Sequence, residues 1–297
     1  MVLEETGGPV TAHAMSFDVE DWYQGFIYRN IDGWQGLGSR EEKNVGRLLE
    51  LLEKHQTKAT FFVLGKFAEA HPNVVREIDK AGHEIASHGH FHIPLPKTSP
   101  ERFREDLRQS RGVLADITGR EVRGYRAASW SLTRETLWAL EIMADEGLSY
   151  DSSMFPTSFH AYGLPGSPLK PSRICLSSGS SMIEFPAQVL TLGPIKIPAA
   201  GGFYLRGFPQ WLYSWALKQS ERRGGSGMVY LHPYDIDAEV PRLGVPFVFR
   251  VIRYYNLAGT FGRLESLLGS FRFSSIAQLL ADSEFPVVDV ASLGNRT

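Results

Sequence analysis

The stretch Ser87-His88-Gly89-His90-Phe91-His92 holds three of the nine histidines in this 297-residue chain. His88 and His92 stand four apart, a spacing that puts both imidazoles on one face of a helical turn, where they could meet a single metal ion. His90 would point elsewhere. Asp18-Val19-Glu20-Asp21-Trp22 sets three carboxylates within four residues. Such charges repel one another, and a cation is the obvious compensator. Two imidazoles and one carboxylate leave an open position for water, so a divalent ion of catalytic type is expected, zinc first. Asp18, Glu20 or Asp21 could supply the third ligand.

Two more residues could complete a hydrolytic site. Arg126, in Gly124-Tyr125-Arg126-Ala127-Ala128-Ser129-Trp130, could orient a carboxylate and keep it ionised. His232, in Val229-Tyr230-Leu231-His232-Pro233, stands at a strand end and suits a general acid working near neutrality. Each would be unremarkable alone, because single arginines and histidines are more often structural.

The elements that must position these residues alternate. Short apolar runs at 14–19, 59–64, 83–87 and 228–232 read as strands, and 125–129 as a short segment. Apolar residues at helical spacing mark 41–55 (Val45, Leu48, Leu49, Leu52) and 102–117 (Phe103, Leu107, Leu114, Ile117). Pro72 opens and Gly82 closes a helix over 72–81, and Gly147 stops one over 134–146. Further helices are expected at 210–222 and around 262–268. Strands alternating with helices predict an α/β fold with a parallel sheet curved into a distorted barrel. The Pro- and Gly-rich window 159–208 reads as a loop- and strand-rich insertion. We expect a single domain over 14–297, elaborated at about 159–208 and again, as a helical extension, at 236–297.

Bulk properties narrow the partners. Net charge is −2, from 31 basic and 33 acidic side chains, which argues against nucleic acid or an anionic membrane as main partner. Cys175 is the only cysteine, so neither an intrachain disulfide nor a cysteine-only zinc site is open to the chain. Residues 1–14 carry Glu4 and Glu5 without an apolar core, and no apolar run approaches the ~20 residues that span a bilayer. A cytoplasmic location is the expectation.

Taken in order, these motifs resemble those of the polysaccharide deacetylase family, carbohydrate esterase family 4, with its NodB-homology domain. Ser16-Phe17-Asp18 is similar to the start of the family's T-F-D-D-G, and His88 to His92 to its H-S/T-x-x-H. Arg126 matches the third motif, Asp151 in Tyr150-Asp151-Ser152-Ser153 the fourth, and Leu231-His232 the fifth. From Ile183 onwards the chain resembles deacetylases of exosortase-linked (PEP-CTERM) exopolysaccharide loci, through Glu184-Phe185-Pro186, the run from Pro198 to Arg206, and the run from Tyr230 to Asp237. Two positions depart from the family: Ala128 replaces a proline, and Val19 a metal-binding aspartate, which favours Glu20, on the same side of the strand as Asp18, as third ligand, with Asp21 as the alternative.

The resemblance implies metal-dependent de-N-acetylation of N-acetylhexosamine units, with Asp18 as base held by Arg126. His232 would act as acid supported by Asp151, and a backbone N–H near Ser129 would face the oxyanion. Trp22, Trp130 and Tyr204, with Tyr23 and Phe203, could stack on sugar rings, although most of the 35 aromatics must be core. An exopolysaccharide precursor is the expected substrate, and its synthesis or export machinery an expected associate. Competing readings are a hydrolase of small cyclic amides or ureides, and a catalytically silent carbohydrate-binding or assembly protein.

Overall fold

In the computed structural model, which describes residues 12–28, 30–158, 163–281 and 283–293, strand β1 (His13–Val19) is buried along its whole length. Its residues Met15, Phe17 and Val19 enter the largest apolar core, where Phe61 and Val63 of β2 (Thr60–Val63) meet them. Alternation then sends Ser16 and Asp18 to the opposite face. That division places the first acidic residue without any special local conformation.

The sheet continues through β3 (Glu84–Ser87), β4 (Gly124–Tyr125) and β5 (Tyr150–Asp151). It then takes up β6 (Ser172–Cys175) and β7 (Ser181–Glu184), while β8 (Val189–Leu192) and β9 (Ile195–Pro198) form a separate hairpin. The strands β10 (Met228–Leu231), β11 (Phe273–Ser274) and β12 (Val287–Asp289) complete the set. The spatial order is β10-β1-β2-β3-β4-β5-β7-β6-β12, with β11 on β1. Every neighbouring pair from β10 across to β7 is parallel, and β6 turns antiparallel to β7. This is the α/β architecture expected from the sequence. Among the described residues no pairing joins β10 to β12, so the curl stays open.

Helices between the strands follow sequence signals closely. In Pro100–Thr118 the Ser99 hydroxyl caps the Arg102 N–H, Pro100 takes the first turn, and Gly119 ends the helix at φ 69°. Phe103, Leu107 and Leu114 form its buried face. The window 159–208, apart from 159–162, which lie outside the described residues, holds β6 to β9 and the short helix Gly202–Gly207. The C-terminal extension is less purely helical than expected. Helices Phe247–Tyr254 and Leu257–Ser270 are present, the second reaching well beyond 262–268, but β11 and β12 then return to the sheet. Most of the segment 1–14 lies outside the described residues. No helix among those described is long and apolar enough to cross a membrane.

Parallel pairing brings the carboxyl ends of β10, β1, β3 and β4 to one rim. Phe17 pairs with Leu231, Val63 with Ser87, and Ser87 with Tyr125. The residues that follow these positions are Asp18, His88, Arg126 and His232, which is where α/β folds place their chemistry.

Candidate active site

Glu20, His88 and His92 each offer one ligand atom, and these atoms lie within 4.8 Å of one another. All three side chains are buried. His88 Nδ1 sits 2.9 Å from the Arg126 carbonyl oxygen, which can only accept, so Nδ1 carries the proton and Nε2 presents its lone pair. Burial pushes the His88 imidazole down to about 4, so it is neutral at pH 7. Burial alone would raise the Glu20 carboxyl, but the facing imidazoles of His92, His232 and His88 outweigh it and hold the group at about 2. His92 Nε2 lies 3.0 Å from Glu20 Oε2; burial would lower this imidazole, but Glu20 raises it above its ordinary value. A carboxylate and two imidazoles aimed at one another fit a divalent cation, whose arrival would displace the proton between His92 and Glu20.

The two histidines do not meet on a helical turn. Residues 88–92 form a loop, with Gly89 at φ 75° and His92 at φ 57°. Asp106 shapes it by accepting the N–H groups of His90 (2.7 Å) and Phe91 (3.0 Å). A Cβ at Gly89 would lie 2.8 Å from Asp106 Oδ2, so only glycine passes this close. His90 turns away towards Glu69, as its position between the pair implied. The chain also separates the two candidate carboxylates. Glu20 joins the histidines, whereas Asp21 faces Tyr23 and Glu41.

Asp18 and Arg126 form a buried pair, with Nη1 donating to Oδ1 at 2.6 Å. Every arm of the guanidinium is engaged. Nη2 donates to Ser16 Oγ and Ser152 Oγ, both at 3.1 Å, and Nε to the Ser152 carbonyl at 3.2 Å. Phe62 and Trp130 stack on it at 3.9 and 4.3 Å. Asp18 Oδ2 remains on the cleft side, 3.9 Å from His88 Nε2.

His232 stands across the site, its Nε2 3.6 Å from Glu20 Oε1 and its ring stacked on Tyr234 at 4.5 Å. Its Nδ1 faces Asp235 Oδ2 at 3.4 Å, and Asp235 in turn accepts from Arg206 at 2.7 Å. The expectation that Asp151 supports His232 is therefore corrected. Asp151 is fully buried, accepts from Ser153 Oγ at 2.5 Å, and lies opposite Glu184 in the β5–β7 register. Asp235 follows His232 by three residues within a single short turn, a spacing visible in the sequence but meaningless until the turn is known.

A cleft of about 490 Å³ opens on this group, lined among others by Asp18, Ser129, Phe203, Tyr204 and Tyr230. Ser129 and Trp130 adopt left-handed backbone (φ 57° and 55°), a turn that costs roughly 1–2 kcal/mol per residue and needs its surroundings to hold it. Two expected sugar platforms are not available as such. Trp130 lines the cleft but is 2% exposed, with one face given to Arg126. Trp22 is fully buried among Tyr23 and Phe26, and its indole N–H donates to the Gly38 carbonyl. Tyr204, half-buried in the cleft wall beside Phe203, stays accessible.

Comparison with known proteins adds an independent line. Residues 32–147 match the family model for polysaccharide deacetylase, and residues 152–281 one for a domain of unknown function, DUF3473. The chain is 32% identical over 96 residues to a peptidoglycan-N-acetylglucosamine deacetylase of Bacillus cereus, covering 32% of this chain and 35% of that protein. It is 31% identical over 122 residues to a peptidoglycan deacetylase of Helicobacter pylori, covering 41% and 40% respectively. The chain thus spans two-fifths or less of the length of these relatives. A solved Mycobacterium smegmatis protein, whose own polysaccharide deacetylase assignment is provisional, shares its fold, with TM-score 0.64 at 21% identity over 96% of this chain and 95% of that one. The segment 32–147, which carries β2 to β4 together with His88 and His92, is thus similar to the polysaccharide deacetylase family.

Proposed function

We propose that this chain removes acetyl groups from N-acetylhexosamine units of a polysaccharide, releasing acetate and leaving a free amine. The observation that carries the reading is one cleft in which Asp18 lies beside His88 and His232 beside Glu20, so a base and an acid flank the three-ligand group. A divalent ion held by Glu20, His88 and His92, zinc by the donor set, would supply Lewis acidity towards the acetyl carbonyl and lower the pKa of water. Asp18 Oδ2 takes the proton of the attacking water while Arg126 holds Oδ1 in place. The carbonyl carbon becomes tetrahedral, and a backbone N–H of the Ser129 turn is the proposed donor to its oxygen. His232 first takes up a proton at Nε2, becoming imidazolium, and gives it to the nitrogen as the C–N bond breaks, while Asp18 returns its own proton to water. Phe203 and Tyr204 are placed to hold the sugar.

The relatives named above act on peptidoglycan by their descriptions; for this chain the resemblance of its second half favours an exopolysaccharide precursor, met in company with its synthesis or export proteins. We read 14–297 as one catalytic unit, since both matched segments contribute to the cleft.

The test is acetate release from a panel of N-acetylated oligosaccharides, with zinc supplied. His88→Ala should lose zinc binding and acetate release together, and full activity in that variant would overturn the metal scheme. Asp18→Asn should keep zinc and lose turnover by about 10²–10⁴-fold. Hydrolysis of a small ring amide alone would favour the cyclic-amide alternative. Oligosaccharide binding without acetate release would favour a silent binding protein.

A further inference from the structure

We propose that Asp235, clamped by Arg206, is the positioning residue of His232 and fixes which of its ring nitrogens carries the proton. The proposal rests on the deacetylase reading for its chemical consequence, but its geometry stands apart from it.

Asp235 is 5% exposed and Arg206 2%, and each oxygen of the carboxylate has a separate task. Oδ2 accepts the backbone N–H of His232 at 2.9 Å and faces the ring Nδ1 at 3.4 Å. Oδ1 accepts Arg206 Nη1 at 2.7 Å. Arg206 Nη2 is itself held by the carbonyls of Ile252 (2.6 Å) and Arg253 (3.3 Å), from the helix Phe247–Tyr254. A carboxylate fixed in this way can only accept, so it favours the imidazole form protonated at Nδ1, in competition with the Asp235 backbone N–H that reaches the same ring. Nε2, on the Glu20 side, is then the nitrogen free to exchange a proton with substrate.

Two glycines make the clamp possible. The helix Gly202–Gly207 passes so near Asp235 that a Cβ on Gly202 would lie 2.3 Å from the carboxylate carbon. A Cβ on Gly201, at φ 92°, would lie 2.7 Å from the Tyr230 ring. With both positions bare, Arg206, one helical turn on, reaches Oδ1. The ring is also confined by Tyr234 on its face and Tyr230 near its edge at 5.5 Å. The acid, its anchoring carboxylate and the arginine that steadies it all come from residues 152–281, the segment whose family model carries no function.

The experiment uses the full chain labelled with ¹⁵N in its histidine rings, with His232→Ala assigning the signal. In the unaltered protein the His232 ring should give the pattern of protonated Nδ1 and bare Nε2, with and without zinc. Asp235→Asn should turn the ring to the other tautomer or a mixture. It should also lower kcat by about 10–100-fold, with KM and zinc affinity within about twofold of the parent. Gly202→Ala, which leaves the carboxylate chemically intact, should reproduce the tautomer change through displacement alone. Circular dichroism checks that both variants fold. Unchanged ring signals and unchanged kcat in Asp235→Asn would overturn the proposal, as would a tautomer change produced instead by Asp151→Asn. If the parent chain released no acetate from any oligosaccharide, the deacetylase reading would fail, while the ring signals would still decide the role of Asp235.

Discussion

Asp18 at the end of β1 and Asp151 at the end of β5 are both buried strand-end aspartates, and both feel the charge of Arg126. Their circumstances diverge from there. Asp18 takes the guanidinium directly and keeps one oxygen on the cleft. Asp151 lies opposite a second carboxyl, Glu184, and burial raises both groups, Asp151 to about 6 and Glu184 well above its ordinary value. Burial thus pushes both carboxyls towards the protonated form. Its bonds go to backbone and hydroxyls: Ser153 Oγ donates to Asp151 while accepting the Ala127 N–H, and Glu184 accepts the Met154 N–H. The difference separates two uses of a buried acid. One facing a cation and open space can move a proton in a reaction, whereas one facing another acid ties loops together, here the segment whose Ser152 braces Arg126.

The comparison can be broken at Arg126, where the largest effect is expected. Arg126→Ala strands Asp18 in the interior and should cost about 3–5 kcal/mol in urea unfolding. A loss below about 1 kcal/mol would mean that Asp18 does not depend on its partner. A smaller effect, about 2 kcal/mol, should appear in the metal-free protein on acidification. His88 is held at about 4 and Glu20 at about 2, both below their unfolded values. Their contributions are complete above about pH 6.5 and 4.5 respectively, and fade as pH falls through the folded values. His92, raised, opposes part of this. Denaturant midpoints measured from pH 7 to 4 should fall, and a flat profile would contradict the assigned burial of His88. The Asp151–Glu184 pair has the reverse sign. Its raised values give stability that is full below about pH 4 and lost as pH rises through the folded titration. Glu184→Gln keeps a hydrogen-bond donor without the acid, so it should gain roughly 1 kcal/mol on the parent between pH 5 and 8. If the difference stayed constant with pH, the two carboxyls would not be held towards the protonated form.

Much of this arrangement is legible in the sequence because it depends on strand alternation. Val19 enters the core with Met15 and Phe17, so Glu20 falls beside the histidines even though the family's usual aspartate is missing. The His88–His92 spacing names two side chains that do come together, although a loop shaped by Gly89 and Asp106 substitutes for the expected helical turn. Asp151 sits at its motif position, but its partner is set by the β5–β7 register, which no local pattern encodes. Asp235 and Arg206 lie 29 residues apart, joined only by a close pass at Gly202. Trp22 and Trp130 show why aromatics beside a motif are poor guides: large apolar rings are what a core consumes first.

The pairing of Phe17 with Leu231 also sets an order of events during synthesis. Asp18 leaves the ribosome first, and His232, which lines the same cleft, follows 214 positions later. At typical elongation rates that interval is roughly 10–40 s. Strands β1 to β4 can meet before it ends, but β10 cannot yet take its place beside β1. The nascent chain can therefore bring Glu20, His88 and His92 together while His232 is still missing, so the proposed chemistry would have to wait until β10 has emerged and paired with β1.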